Sequence, residues 1–420
     1  MAHLAVIGAG WAGLAAAVQA TLRGHTVSLF EMAAVPGGRA RSVVHGDEVL
    51  DNGQHILIGA YRDTLALMRQ VGVDPDRVLH RQPLAMVDPQ GRGLTLRPGP
   101  APLAFARAVW GHPTWSLADR LALLRVGAGW AAARFRAPAD LTVQALCRGL
   151  PAAVLRELIE PLCVAALNTP ASEASAQVFL TVLRDGLFGE RGCADLLLPR
   201  RPLGELLPDS AWAWLGSRGV VLAPRTRIQG LVRTPQGGWS VRDKHFEGVV
   251  LACSAHEAAR LAQPHAPGWA AQLAALRYEP IATVVLDSPG SRLAGPMVSL
   301  TEGPAQFAFD HGALGARPDR FTFVVSGAAP WLEAGTQRLI EGVMVQARTV
   351  LLNSSGTASP ALRACIAERR ATFRCVAGLL RPPQVIEPGL VAAGDYVAGP
   401  YPATLEGAVR SGLSAARHFG

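Results

Sequence analysis

Val6-Ile7-Gly8-Ala9-Gly10-Trp11-Ala12-Gly13 places three glycines between two segments of different period. His3 to Gly8 reads as a short buried strand, Gly13 to Arg23 as a helix, and Thr26 to Glu31 as a second strand. In that order Gly8, Gly10 and Gly13 permit a tight turn and a close backbone approach to a pyrophosphate, with Trp11 and Ala12 at the helix start that faces the phosphate charge. Glu31 closes the second strand eighteen residues after Gly13, where it can accept hydrogen bonds from a ribose hydroxyl. The unit is a βαβ dinucleotide site. It serves NAD and FAD alike, so the choice between them rests on other segments.

The chain has 420 residues, more than one hydrophobic core usually holds, and two interleaved domains are expected. Half of it is apolar and 17% is charged, which describes a packed globular protein. The net charge of +8 comes from scattered arginines, with Lys244 the only lysine, and no aromatic-interleaved basic stripe points to nucleic acid. A basic surface does favour an anionic membrane face. Six cysteines, at 147, 163, 193, 253, 365 and 375, form no CxxC pair and no metal-ligand spacing, so reduced thiols in a cytoplasmic protein are expected. No metal site is expected from the eleven histidines, and no GxSxG supports a serine hydrolase. Met1 to Ala20 is apolar but lacks the basic start of a signal peptide. No run reaches the ~18 apolar residues of a membrane span, which leaves a soluble protein or one peripheral on the inner membrane.

Further along, extended segments are expected near Val43 and from Glu48 to Leu50, then a helix from Tyr61 to Val71. From Ala101 to Arg184 the pattern is helical, including Ser116 to Arg136 with Ser116 and Asp119 as caps. Strands return from Val220 to Cys253 around a turn at Gly237-Gly238, followed by a helix from Ala255 to Ala262. Strands at Ile281 to Leu286 and Phe321 to Ser326, a helix from Gln337 to Leu352, a strand from Gly389 to Ala393 and a closing helix from Ala403 to His418 complete the reading.

Two more motifs flank this frame. Pro36-Gly37-Gly38-Arg39-Ala40-Arg41 follows the second strand, and Gly394-Asp395-Tyr396 leads to Tyr401-Pro402-Ala403-Thr404-Leu405-Glu406-Gly407. With the first motif they resemble the amine oxidase and carotenoid desaturase superfamily of FAD enzymes. That resemblance implies an α/β fold, a Rossmann-type FAD-binding domain (1–82, 200–275 and 384–420) interleaved with a mixed α+β substrate domain (83–199 and 276–383). It implies Gly38 and Arg39 near the pyrophosphate and flavin, Gly394 and Asp395 at the ribityl or phosphate region, and Thr404 and Leu405 by the flavin ring. Free N–H groups at that helix start suit negative charge on a reduced flavin. It further implies Asn52 and Gly53 at the flavin, and a strand from Arg225 to Leu231 whose backbone around Ile228 pairs with the adenine.

The run Leu50-Asp51-Asn52-Gly53-Gln54-His55-Ile56-Leu57-Ile58-Gly59-Ala60-Tyr61, with Phe321 to Ala328 and the Asn168-Thr169-Pro170 turn, is similar to the bacterial squalene-associated desaturases. These are hydroxysqualene dehydroxylases of hopanoid biosynthesis. The resemblance implies reductive removal of an allylic hydroxyl, a long apolar isoprenoid as substrate and a reductant for the flavin. Such chemistry calls for a proton donor in a water-poor pocket. His55 and Asp51 are the first candidates, Tyr401 and Tyr396 the next. The plainer alternatives are that Asp51 anchors the loop and His55 is structural. The segment from Leu103 to Ala133, flanked by arginines 107, 120, 125, 134 and 136, suits either core packing or a membrane-facing mouth. Rival readings are a phytoene-type desaturase, a protoporphyrinogen-type oxidase, and a non-enzymatic prenyl-protein escort, which would carry a degenerate cofactor site.

Overall fold

The computed structural model describes residues 1–97, 99–187, 189–353 and 359–420. The strand His3–Ile7 lies inside a six-stranded sheet, parallel to Thr26–Phe30 on one side and to Gly248–Leu251 on the other. Val221–Ala223 extends one edge; Leu390–Ala392 and then the antiparallel Val385–Glu387 extend the other. Leu4, Ala5 and Val6 are fully buried, because both faces of a parallel sheet are covered and alternation gives way to a continuous apolar run.

The first helix, Trp11–Leu22, is rich in alanine and almost wholly buried. Small side chains let it lie between the sheet and the closing helix Leu405–Ala415. Two glycines set those distances. A Cβ on Gly13 would fall 1.8 Å from the Gly8 carbonyl oxygen, and one on Gly412 would fall 2.1 Å from the Ala12 carbonyl oxygen.

A second, five-stranded antiparallel sheet runs in the order Met297–Ser299, Phe307–Asp310, Arg320–Val325, Tyr278–Asp287, Ala361–Phe373. Helix Thr336–Val350 covers one face through Leu339, Val343 and Ala347. The helical segments between residues 101 and 187 pack beside both sheets as one apolar cluster.

Most expected elements are present with shifted ends. The helix Leu117–Ala132 begins with the expected capping box: Ser116 Oγ accepts from the Asp119 amide at 3.2 Å and Asp119 accepts from the Ser116 amide at 2.9 Å. It stops short of Arg136 because Arg134 and Phe135 adopt left-handed conformations. The turn at Gly237-Gly238 links Val232–Arg233 to Trp239–Val241 in a small antiparallel sheet.

The expected strand from Arg225 to Leu231 is not one. Pro224 ends the sheet strand, Arg225 takes a φ of 54°, and the chain pairs instead with the 31–33 turn, Thr226 N–H donating to Glu31 O at 2.7 Å. The thirteen-residue strand Ala361–Phe373 was not expected at all; its outer face carries charged, exposed residues, which masks the apolar alternation.

Overpacking at a backbone contact costs about 1–3 kcal/mol. Gly412→Ala is expected to lower stability by about that amount. Gly129→Ala, in the helix Leu117–Ala132 with open space around it, is expected to raise stability by up to about 1 kcal/mol. Urea unfolding of the two variants beside the parent measures both signs.

Candidate active site

A cavity of about 470 Å³ opens where the three distant motifs meet. Gly8, Gly10, Trp11 and Ala12 line one end. The helix begins there with no capping side chain and no acid in its first turn, so its free amides face the cavity uncompensated. Gly10 and Gly37 form an isolated parallel bridge, and a Cβ on Gly38 would sit 3.1 Å from Gly10 Cα. The glycines therefore keep the PGGRAR loop pressed onto the first turn, and Trp11 Nε1 donates to the Ala40 carbonyl at 2.9 Å to hold it. Gly13 is not in the wall; it acts one layer behind, by letting the helix approach the strand.

Glu31 lines the cavity and accepts from the amides of Ala9 and Ala33, each at 2.7 Å. One carboxylate oxygen thus faces the glycine loop and the other the turn that follows the second strand. Ile228 lies in the wall as expected, though from irregular backbone, and its carbonyl accepts from Arg260 at 2.6 Å.

Arg39 and Asp395 are both in the wall and are paired with each other, Nη2 to Oδ1 at 2.5 Å, across 356 positions of sequence. Arg39 also donates to the Ala371 carbonyl at 2.7 Å. Asn52 donates to the Arg39 carbonyl at 2.9 Å and to Glu368 at 3.3 Å, tying the same loop to the long strand. Gly394 is held by Ser411, whose Oγ accepts its N–H at 3.1 Å. Thr404 caps the closing helix, accepting from Gly407 N–H at 2.9 Å, and Leu405 begins it.

A second, apolar cavity of about 290 Å³ adjoins the first. Gln54, His55, Ile281, Ala403, Thr404 and Leu405 belong to both walls. Leu84, Met86, Leu183, Phe307 and Phe309 supply much of the rest.

His55 stands at that junction. Burial lowers its pKa to about 4, with the Arg39 charge adding to the effect, so the ring is neutral at pH 7. Its Nδ1 is buried without a partner, and so is Thr283 Oγ1. The two atoms flank Gly53, whose φ of 90° turns the chain between them. Orphaned buried polar atoms are rare in folded proteins, and these fit a polar heteroaromatic group seated against Gly53. Thr283 was not foreseen, because within Ile281 to Leu286 it reads as core strand.

Asp51, the companion candidate, is absent from both walls. Its carboxylate accepts from Ser42 Oγ at 2.8 Å and from the Leu203 amide at 2.9 Å, so it fastens the Ser42–His45/Glu48–Asp51 hairpin to a neighbouring segment. The loop-anchor alternative describes it. Tyr396 is buried in the wall of the first cavity, with its hydroxyl donating to the Leu251 carbonyl at 3.3 Å. Tyr401 lines the apolar cavity and donates to Asp185 Oδ2 at 2.5 Å.

A Rossmann sheet joined to a second sheet, with a glycine-lined cavity opening onto an apolar chamber, defines a dinucleotide-dependent oxidoreductase. The sequence model of the flavin containing amine oxidoreductase family matches residues 11–418, and the chain belongs to that family. It is a flavoenzyme whose cofactor is FAD. It is 29% identical to the hydroxysqualene dehydroxylase of Rhodopseudomonas palustris over 98% of this chain and 96% of that one. It is 27% identical to the hydroxysqualene dehydroxylase of Zymomonas mobilis over 98% and 97%. Similarity to the zeta-carotene desaturase of Synechocystis, at 36%, covers 21% of this chain and 19% of that one. In structure it is similar to an oxidoreductase from Methanosarcina mazei (TM-score 0.73, 16% identity, 98% and 99% covered). Cyclohexylamine oxidase from Brevibacterium oxydans gives a TM-score of 0.69 at 16% identity, with 99% and 98% covered.

The His55 shift has a sign. Its folded pKa lies below the ordinary 6.5, so the unfolded chain takes up the proton first as pH falls. The associated stability is present above pH 6.5 and lost as pH drops toward about 4. His55→Gln is expected to flatten the acid-side slope of unfolding free energy in that window, read by urea titration at a series of pH values. An unchanged slope would show that the ring is not buried neutral.

Proposed function

We propose that this enzyme reductively removes the allylic hydroxyl of hydroxysqualene to give squalene, a step of hopanoid and triterpenoid biosynthesis. The observation that carries this reading is the apolar chamber sharing six wall residues with the cofactor cavity. Full-length similarity to hydroxysqualene dehydroxylases supplies the substrate class, whereas similarity to carotenoid desaturases is confined to about a fifth of the chain.

Bound and reduced, FAD would supply a hydride for the carbon that loses oxygen, and the second hydrogen of the reduced flavin, released as a proton, would balance the departing hydroxide as water. On this reading residues 1–82, 200–275 and 384–420 form the cofactor domain, and 83–199 and 276–383 the substrate domain. Gly8, Gly10 and the Trp11-Ala12 amides hold the pyrophosphate, with Glu31 at the ribose and Ile228 at the adenine. Gly38, the Arg39–Asp395 pair and Gly394 flank the ribityl chain. Asn52, Gly53, Thr404 and Leu405 seat the flavin ring. The apolar wall excludes water, and His55 presents a neutral ring N–H to the departing oxygen at the junction of the two cavities. The flavin's reductant is a separate partner.

A water-insoluble substrate has to reach that chamber. Among the described residues no helix is long and apolar enough to cross a membrane. Helices Ala101–Trp110 and Leu117–Ala132 instead expose Leu103, Trp110, Leu117 and Leu121 beside the exposed Arg107 and Arg125. That combination suits peripheral contact with an anionic bilayer.

Purified protein with dithionite-reduced FAD and hydroxysqualene, kept anaerobic, is expected to form squalene; no squalene overturns the reading. His55→Ala at unchanged flavin content is expected to lower kcat by about 10²-fold, the scale of removing one hydrogen-bond donor to the departing oxygen. In flotation with phosphatidylglycerol vesicles the protein is expected to rise with the lipid, and Trp110→Ser with Leu121→Ser to sink. Equal flotation of parent and double variant would place the membrane contact elsewhere.

A further inference from the structure

The wall of the apolar chamber contains, among its described residues, a single side chain that is charged at pH 7. That residue is Asp185 on helix Ala176–Leu187, since His55, the other titratable acid–base group of ordinary pKa near neutrality, is buried neutral. Three contacts hold its carboxylate in place. Arg184 donates Nε to Oδ1 at 2.6 Å and Nη2 to Oδ2 at 3.0 Å, and Tyr401 donates to Oδ2 at 2.5 Å. Burial raises the Asp185 carboxyl, but the bonds from Arg184 and Tyr401 outweigh it and keep the group below the ordinary carboxylate range. Tyr401 is in turn pushed up to about 12 by burial and by that same carboxylate, so it stays a neutral phenol. Arg410 lies over its ring at 4.9 Å.

Asp185 is half-buried and paired with the exposed Arg184, so the chamber is offered a held carboxylate that retains acceptor capacity. A core-packing role does not require one, because apolar residues would line the space at lower cost. Tyr401 also stands two positions before Ala403, the residue with a φ of 56° that leads into Thr404 and Leu405 on the shared wall. Tyr401 is therefore on the same chain segment as the cofactor-side wall and ties Asp185 to it.

We propose that Asp185 and Tyr401 form the anchor for the substrate hydroxyl: the carboxylate accepts the hydroxyl hydrogen, the phenol fixes the carboxylate, and the pair selects the alcohol over the hydrocarbon product. This rests on the substrate reading above. A chamber of Leu, Met and Phe side chains binds the alcohol and the hydrocarbon nearly alike, whereas a site built to hydrogen-bond a hydroxyl rejects the molecule lacking it. The anchor explains how product would leave a pocket that its carbon skeleton fits.

The test titrates oxidised holoenzyme with hydroxysqualene and, separately, with squalene, following the flavin visible spectrum. The parent is expected to prefer the alcohol by about tenfold or more, the scale of a hydrogen bond to a charged group. Asp185→Asn and Tyr401→Phe are expected to bring that preference close to unity while leaving the squalene Kd and the flavin content unchanged, which a folding defect would not do. Asp185→Glu is expected to restore part of it. Undiminished preference in both variants, or no preference in the parent, overturns the anchor. Squalene formation by the parent is measured in the same preparations under reducing conditions. Its absence overturns the substrate reading and the anchor with it, whereas turnover with unaltered discrimination overturns the anchor alone.

Discussion

The first helix touches backbone on both sides, and the rest of the molecule is arranged around that fact. Gly13 rests on the carbonyl of Gly8 and Gly412 rests on the carbonyl of Ala12, with no space for a methyl group at either place. The strand, the first helix and the closing helix are consequently a single rigid stack assembled from opposite ends of the chain. Because the stack is this thin, the starts of both helices reach the same cavity: the first presents uncapped amides to it, while the closing helix is capped there by Thr404 and carries Glu406 in its first turn. A larger residue at either glycine would move one helix start away from the other.

The pairing of Arg39 with Asp395 depends on that stack. Asp395 is almost completely buried and follows the strand Leu390–Ala392, while Arg39 leaves the glycine loop pinned by Trp11. Their contact, shared with the Ala371 carbonyl, draws the second sheet against the first. Removing Arg39 would strand the Asp395 carboxylate at low exposure, a larger loss than the pair itself contributes. The cofactor cavity is the space these ties enclose, so its shape and the docking of the two sheets have a common cause.

Much of this was legible in sequence because glycine positions follow from backbone sterics, which are local. Gly8 and Gly10 were recognised that way, Gly38 and Gly53 through the resemblance to FAD enzymes, and each lies in the cavity wall. Side-chain direction is not local in the same sense. Asp51 sits beside Asn52 and His55 in sequence, but its carboxylate is engaged by Leu203, 152 positions away, and leaves the site. Asp185 showed no motif because the residue that defines its role, Tyr401, is 216 positions on. Thr283 looked like core within an apolar strand, and Glu368 lies on Ala361–Phe373, whose exposed charges hid the strand. What escaped the sequence was contact across long separations, and that is where the substrate side of the site is built.

The two cavities divide the electrostatic work in a way that bears on the direction of chemistry. Amine oxidases share this fold, so the fold alone leaves the reaction open. The cofactor cavity is lined by helix amides, an ion pair and Glu31, groups suited to a charged dinucleotide. The apolar chamber carries one held carboxylate and a neutral imidazole. Ionising an uncharged allylic alcohol builds positive charge where none existed, and in a water-poor chamber a nearby fixed anion stabilises that charge far more than it would in water. A hydrocarbon desaturated in the same space would present no polar atom to that carboxylate. The placement of this half-buried, arginine-paired carboxylate thus favours an oxygen-bearing substrate, and it does so independently of the similarity to known dehydroxylases.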